Sequence, residues 1–177
     1  MNETLKLEII PGARLSTPQR AEILSLCHRA YEADLGPIFN TFSDATHVIA
    51  RLDQGIVSHA LWVTRWLQPG NLPPLRTAYV ELVATEPSLQ GRGLGSAVMR
   101  RLADAIQDYK LGGLCPAELG LYEKSGWELW QGPLFIRSAD GLLATPEERA
   151  MILRLPATPP LDLDEPLSAE WREGELW

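Results

Sequence analysis

The sequence predicts an α/β domain of the α+β kind, with a mixed and mostly antiparallel sheet flanked by helices. Three observations lead there. Period-two runs rich in β-branched residues dominate the chain up to Thr85, the hydrophobic period then lengthens to three and four residues from Leu94 to Tyr109, and short apolar runs resume after Gly112-Gly113. A chain of 177 residues that is 45% hydrophobic and 22% charged, without internal repeats or low-complexity segments, reads as one domain over residues 1–177.

Leu5 to Ile10 alternates like an edge strand and stops at Pro11-Gly12. Thr17 then offers an N-cap and Pro18 a first helical residue. The helix is expected to run to about Ala33, with Ala21, Leu24, Cys27, His28 and Tyr31 on its apolar stripe. His47 to Leu52 and Ile56 to Leu67 form a hairpin around Asp53-Gln54-Gly55, and Thr77 to Thr85 adds a third strand before Glu86-Pro87 ends it. Leu94, Val98, Leu102, Ala105, Ile106 and Tyr109 mark an amphipathic helix that ends before Gly112. A short strand comes next at Leu111 to Cys115, then a short helix at Ala117 to Ser125. Strands at Trp127 to Trp130 and Leu134 to Arg137, a helical Pro146-Glu147-Glu148 and a final strand at Ala150 to Leu155 complete the order.

No run nears the roughly 18 apolar residues of a membrane helix, and Met1 to Lys6 lacks the basic start and apolar core of a signal peptide. A cytoplasmic protein without a membrane partner is expected. Cys27 and Cys115 are too few for a disulfide framework, and neither they nor His28, His47 and His59 show a metal-ligand spacing, so no metal is expected. Sixteen basic and 23 acidic residues leave a net charge of −7, which argues against a nucleic-acid partner because phosphate neutralisation needs a basic surface. Self-association as a homodimer stays open. Most of the excess charge lies in the last 22 residues, where six acids from Asp162 to Glu175 stand against Arg172 alone. Leu161, Leu163, Leu167, Trp171, Leu176 and Trp177 are spaced among those acids, more apolar surface than a disordered tail carries, so residues 156–177 read as a folded lid with an acidic face.

The segment Gln90-Gly91-Arg92-Gly93-Leu94-Gly95-Ser96 sits between a strand and a helix. Its glycines let a ligand approach the backbone, and the free N–H groups and dipole of the helix that starts there suit a phosphate or pyrophosphate. It lacks the lysine of a P-loop and comes after a meander, and a plain tight connection is the alternative. Glu81 is one carboxylate in the apolar run Ala78 to Ala84, where a charge is costly without a polar partner or a wet cleft. It is either a base or a residue on the solvated face of its strand. Trp62, Trp66, Trp127 and Trp130 read as core, Cys115 as packing, and Arg100, Arg101 and Lys110 as a solvated helix face.

Gln90-x-x-Gly93-x-Gly95 resembles the pyrophosphate loop of the GNAT acyltransferase superfamily, and Tyr122 followed by Gly126-Trp127 is similar to that family's second motif. The resemblance implies acetyl-CoA as cosubstrate, lying between two splayed parallel strands, Thr77 to Thr85 and Leu111 to Cys115. Pantetheine would lie on the backbone of Leu82, Val83 and Ala84, the pyrophosphate on the loop from Gln90 to Ser96 (Gln90, Gly91, Arg92, Gly93, Leu94, Gly95 and Ser96), and Tyr122 would protonate the leaving thiolate. Tyr79-Val80-Glu81, Gly126-Trp127-x-x-Trp130-x-Gly132-Pro133, Thr145-Pro146-Glu147-Glu148 and the terminal Trp171-Arg172-x-Gly174-Glu175-Leu176-Trp177 resemble the aminoglycoside 2'-N-acetyltransferases, well over residues 77–177 and loosely before them. That likeness implies a small cationic aminoglycoside as substrate, acetylated with resistance as the outcome. Glu81 would be its base, with Trp177, Glu175, Glu148 and Asp34 as further contacts. Leu35 to Phe42 is apolar where a polyamine drug calls for acids, which points to the divergent branch that acetylates kasugamycin, a drug with a single free amino-sugar amine and its own carboxylate. Acetylation of another amine such as a polyamine or a protein N-terminus, and a non-catalytic acyl-CoA-binding sensor, are the competing functions.

Overall fold

A computed structural model describes residues 4–53, 55–174 and 176–177, which gather into two compact units, Met1–Val63 with Val80–Ala105 and Thr64–Tyr79 with Ile106–Trp177. In the first unit, β1 (Lys6–Pro11) is an edge strand antiparallel to β2 (Thr46–Leu52), with Ile9 opposite Val48. The strand β2 in turn pairs antiparallel with β3 (Gly55–Pro69), Val48 facing Ala60 and Ile49 facing His59. The hairpin between them turns at Gly55, whose φ of +123° only glycine adopts without strain. The next strand, β4 (Leu75–Thr85), lies beside β3, so the expected meander is present.

Helix α1 (Thr17–Tyr31) is capped by Ser16 rather than Thr17. The Ser16 hydroxyl accepts from Gln19 N–H at 3.3 Å, and the Gln19 side chain accepts from Ser16 N–H at 3.0 Å, a reciprocal capping box worth about 1 kcal/mol. Its buried face is Ile23, Leu26 and Cys27, not the stripe through Ala21 and Tyr31, both of which are exposed. Those three residues pack with Phe39 of α2 (Gly36–Phe39), Phe42, Ile49, Ile56, Leu61, Leu82 and Ala84. The apolar segment after Asp34 is therefore core. Glu22 fastens the hairpin to α1, accepting from Ile56 N–H at 2.6 Å. The helix α3 (Leu94–Ala105) buries Leu94, Val98, Met99 and Leu102.

Residues 64–69 of β3 and 75–79 of β4 belong to the second unit, and the strand order of the sheet is β6-β9-β5-β4-β3-β10-β7-β8. The other strands of that unit are β5 (Leu111–Leu114), β6 (Glu128–Leu129), β7 (Leu134–Ser138), β8 (Gly141–Ala144), β9 (Met151–Arg154) and β10 (Leu167–Glu170), with α4 (Gly120–Glu123) between β5 and β6. The strands β4 and β5 run parallel from Thr77↔Leu111 to Tyr79↔Gly113, and β10 runs parallel to β7. The helical pattern expected to reach Gly112 stops at Ala105 because partners in the second unit compete for Tyr109 and Lys110. The Tyr109 hydroxyl lies 2.9 Å from Thr64 Oγ1, and Lys110 N–H donates to Arg76 O at 3.0 Å.

The largest correction is to the tail. Residues 167–170 are an interior strand with Leu167 and Ala169 fully buried, not part of a lid. The strand at Ala150 to Leu155 is accordingly not the last one, β8 had no expectation, and Pro146-Glu147 is a turn rather than a helix. Trp62, Trp127 and Trp130 are core, but Trp66 is 48% exposed. No helix among the described residues is long and apolar enough to cross a membrane.

Candidate active site

In the first unit β4 carries an irregularity at Leu82, which has a φ of +49°. A residue with a Cβ pays on the order of 1–2 kcal/mol there, and such strain persists only where its surroundings fix it. The three carbonyls from that point each meet a side chain: Leu82 O lies 3.0 Å from His59 Nδ1, Val83 O accepts from the Tyr31 hydroxyl at 3.0 Å, and Ala84 O accepts from the Ser58 hydroxyl at 3.0 Å. Glu81, half-buried, stands immediately before the irregularity. Past Thr85 the chain is tied back by Glu86, whose N–H donates to Val57 O at 2.9 Å and whose carboxylate takes the Arg29 guanidinium at 2.7 Å.

The glycine loop comes after a single 3-10 turn at Pro87–Leu89. Gly91 and Gly93 have φ of +75° and +79°, and a Cβ on either would meet nothing within 4 Å. The Ala97 N–H donates to Gly93 O at 2.9 Å as a first helical bond of α3, so the N–H groups of Leu94, Gly95 and Ser96 belong to the turn that a helix leaves without internal partners. Open space over two glycines, unspent N–H groups and the positive end of a 12-residue helix dipole suit a diphosphate. Arg92 is exposed beside them, while Gln90 turns its side chain back to Thr85 O at 3.4 Å and holds the loop to the strand. Asp34 is anchored in its own turn, its Oδ1 accepting from Gly36 N–H at 2.9 Å and lying 3.1 Å from His28 Nε2.

The second unit holds the other expected residues. Tyr122, on α4, meets Trp127 edge to face at 6.4 Å, and burial pushes its phenol up to about 12. The hydroxyl therefore keeps its proton at every physiological pH. Glu148, exposed after its turn, accepts from the Cys115 thiol at 3.3 Å, so Cys115 is a polar neighbour of that carboxylate rather than simple packing. Trp177 is 5% exposed and its indole N–H donates to Thr145 Oγ1 at 2.8 Å. Glu175 lies outside the described residues.

Arg65 was missed in the sequence, although period-two alternation places it on the inward face with Leu67. Only 1% exposed, it donates to Leu176 O and Glu170 O at 2.7 Å each and lies 4.8 Å over the Tyr79 ring. Arg172 lies 5.4 Å over the same ring and donates to Trp177 O at 3.3 Å. Two arginines thus hold the backbone of Leu176 and Trp177 in place and offset the acidity of the segment. Among the described residues no group of His, Cys, Asp and Glu is arranged to hold a metal ion.

The acetyltransferase (GNAT) domain family matches residues 17–130. The chain belongs to the GNAT acetyltransferase family. The match takes in most of the N-terminal third and both GNAT motifs, and stops before Gly132-Pro133, Thr145 to Glu148 and the segment from Trp171 to Trp177. The chain is 33% identical over 129 residues to the aminoglycoside 2'-N-acetyltransferase of Mycolicibacterium fortuitum, an alignment that covers 69% of the chain and 66% of that relative's length. Among solved structures it is similar to a GNAT family N-acetyltransferase (YhbS) from Escherichia coli in complex with CoA, with a TM-score of 0.63 and 16% identity, over 97% of this chain and 90% of that one. A GCN5-related N-acetyltransferase from Kribbella flavida gives a TM-score of 0.59 and 19% identity over 74% of this chain and 34% of that one. At these identities the structural likeness speaks for the fold alone.

Proposed function

We propose that the chain transfers the acetyl group of acetyl-CoA to the 2'-amino group of an aminoglycoside. The observation that carries the cofactor half is the left-handed residue at Leu82 followed by the open glycine loop at the start of α3. The 33% identity to an aminoglycoside 2'-N-acetyltransferase supports the acceptor half. Acetyl-CoA supplies the acetyl group activated as a thioester. The backbone of Leu82 to Ala84 would hold the pantetheine arm, and Gly91 to Ser96 the diphosphate. An amino-sugar amine is largely protonated at pH 7 and attacks only when neutral, so Glu81 takes its proton, directly or through water. The amine nitrogen bonds to the acetyl carbon as the carbon–sulfur bond breaks, Tyr122 gives its proton to the sulfur, and the second proton that the nitrogen sheds on becoming an amide passes through solvent to restore the phenol.

Glu148, Trp177 and Asp34, with Glu175, are offered as contacts for the drug. Phe39 and Phe42 fill the core in the segment where a polyamine drug calls for further acids. This favours a weakly cationic drug, as kasugamycin is. The test is thiol release from acetyl-CoA over a panel of kasugamycin, 2'-amino aminoglycosides, spermidine and a peptide N-terminus, with the product located by NMR. Transfer to the drug 2'-amine is expected, and Glu81→Gln should lower turnover on the order of 10² to 10⁴ at pH 7 and less at high pH. Turnover confined to spermidine or the peptide, or no turnover at all, would overturn the reading.

A further inference from the structure

Two buried histidines play no part in the chemistry just described. They are twelve residues apart in the sequence, on β2 and β3, and the register that sets Ile49 opposite His59 makes them diagonal neighbours on one face. His47 is 2% exposed and His59 fully buried, their ring centroids are 5.2 Å apart, and His47 Nδ1 lies 2.9 Å from His59 Nε2. His59 Nδ1 lies 3.0 Å from the carbonyl oxygen of Leu82, the residue in the left-handed conformation.

The position of each proton is set by this geometry. A carbonyl only accepts, so His59 Nδ1 carries hydrogen and, in the neutral ring, Nε2 carries a lone pair. His47 Nδ1 must then be the donor to that lone pair, and His47 Nε2 is the acceptor end of the chain, near the point where a Cβ on Gly12 would lie 3.5 Å from it. The relay runs one way, from His47 through His59 to Leu82 O. Burial pushes His47 down to about 4, helped by the Arg20 charge, and His59 down to about 3, helped by His47, so both rings are neutral at pH 7. A proton added to His59 Nε2 would set two N–H groups against each other.

A phenyl ring would fill the same space in this core without burying a single polar atom, and a buried imidazole is tolerable only when it is hydrogen-bonded. What the polar pair provides is a donor aimed at one carbonyl. A left-handed residue turns its peptide group out of the regular pleat, and here the donor waiting for that group comes from the core side. We propose that His59, oriented by His47, is a positioning residue that locks the backbone of Leu82 in its left-handed turn and so presents the edge of β4 on which acetyl-CoA is held. The inference rests on the reading of that edge as the pantetheine site.

Three variants separate the lock from mere packing. An asparagine amide nitrogen falls close to the place of a histidine Nδ1, so His59→Asn keeps the donor to Leu82. His59→Gln places its amide nearer Nε2, and His59→Phe keeps the ring and loses the donor. CoA affinity measured by calorimetry, with KM and turnover, should show His59→Phe and His59→Gln weakened about tenfold toward CoA and His59→Asn within about twofold of wild type, while the KM for the amine is unchanged. Long-range nitrogen–proton NMR of the wild-type chain should show both imidazoles as neutral Nδ1–H tautomers at pH 7, a readout that needs no variant to fold. Wild-type protein that fails to bind CoA would sink the cofactor reading and this inference together. Wild-type binding with equal affinity in His59→Phe, or an Nε2–H tautomer on either ring, would overturn the inference and leave the cofactor reading standing.

Discussion

Replacing Gly93 by alanine separates the cost of a backbone conformation from the cost of blocking a ligand. In the free protein the new Cβ points into open space, with nothing within 4 Å, so it meets no steric resistance and only the φ of +79° is penalised. That strain is about 1–2 kcal/mol for a residue with a Cβ, and it should appear as a lower midpoint in urea. In the proposed complex with CoA the same open space would take the diphosphate onto the N–H groups of α3. A methyl group there costs at least one charge-assisted hydrogen bond of roughly 1.5–3 kcal/mol, about ten- to a hundredfold in affinity. Gly141→Ala is the control. Its φ is +118° and a Cβ there also meets nothing within 4 Å, so it should carry a comparable backbone strain while CoA affinity changes little. Calorimetric titration with CoA beside urea unfolding reads both effects. A Gly93→Ala protein that binds CoA as tightly as wild type would refute the placement of the diphosphate.

Acid should destabilise the first unit through its histidines. The folded pKa of His47 lies at about 4, below its ordinary 6.5, so between those values the unfolded chain binds more protons and stability falls as the pH is lowered through that window, by about 3 kcal/mol for His47 alone. Urea unfolding at pH 7 and pH 4.5 checks it, and a His47→Phe, His59→Phe double variant with the same pH dependence as wild type would show that other groups are responsible. Tyr122→Phe keeps the edge contact with Trp127 and removes the proton, so turnover should fall by about 10² or more with CoA affinity intact. Because the phenol stays protonated up to about 12, the wild-type rate should show no descending limb from Tyr122 below pH 10, and such a limb, abolished in Tyr122→Phe, would contradict its burial.

Much of the first unit was legible because its signals are local. The period-two runs of β2, β3 and β4 and the glycines before α3 need no distant partner to be read. The face of α1 was misjudged because Thr17 to Tyr31 carries two apolar stripes of similar strength, and the choice between them is made by Phe39, Ile49 and Leu82. In the candidate site, the glycine loop announced itself, but nothing about a leucine says that its φ will be positive. His47 and His59 form no cluster in sequence and meet only through the strand register. Leu167-Ser168-Ala169-Glu170 is too short and too polar to read as an interior strand, and its burial is conferred by neighbours far away in the chain.

The position of β10 also bears on how the protein is made. Ser168 and Gln68, bonded across the ladder, are 100 residues apart in sequence, so a ribosome must deliver nearly the whole chain before that pairing can form. Until then the β7–β8 hairpin has no ladder to the remainder of the sheet, and an isolated hairpin is marginal in water. Meanwhile β3 offers a bare edge that another nascent copy can pair with. Closure over so long a separation is slow, so the interval of exposure is set by when β10 emerges. Yield in a cell should accordingly depend on translation rate and chaperone supply more steeply than the stability of the finished fold would suggest.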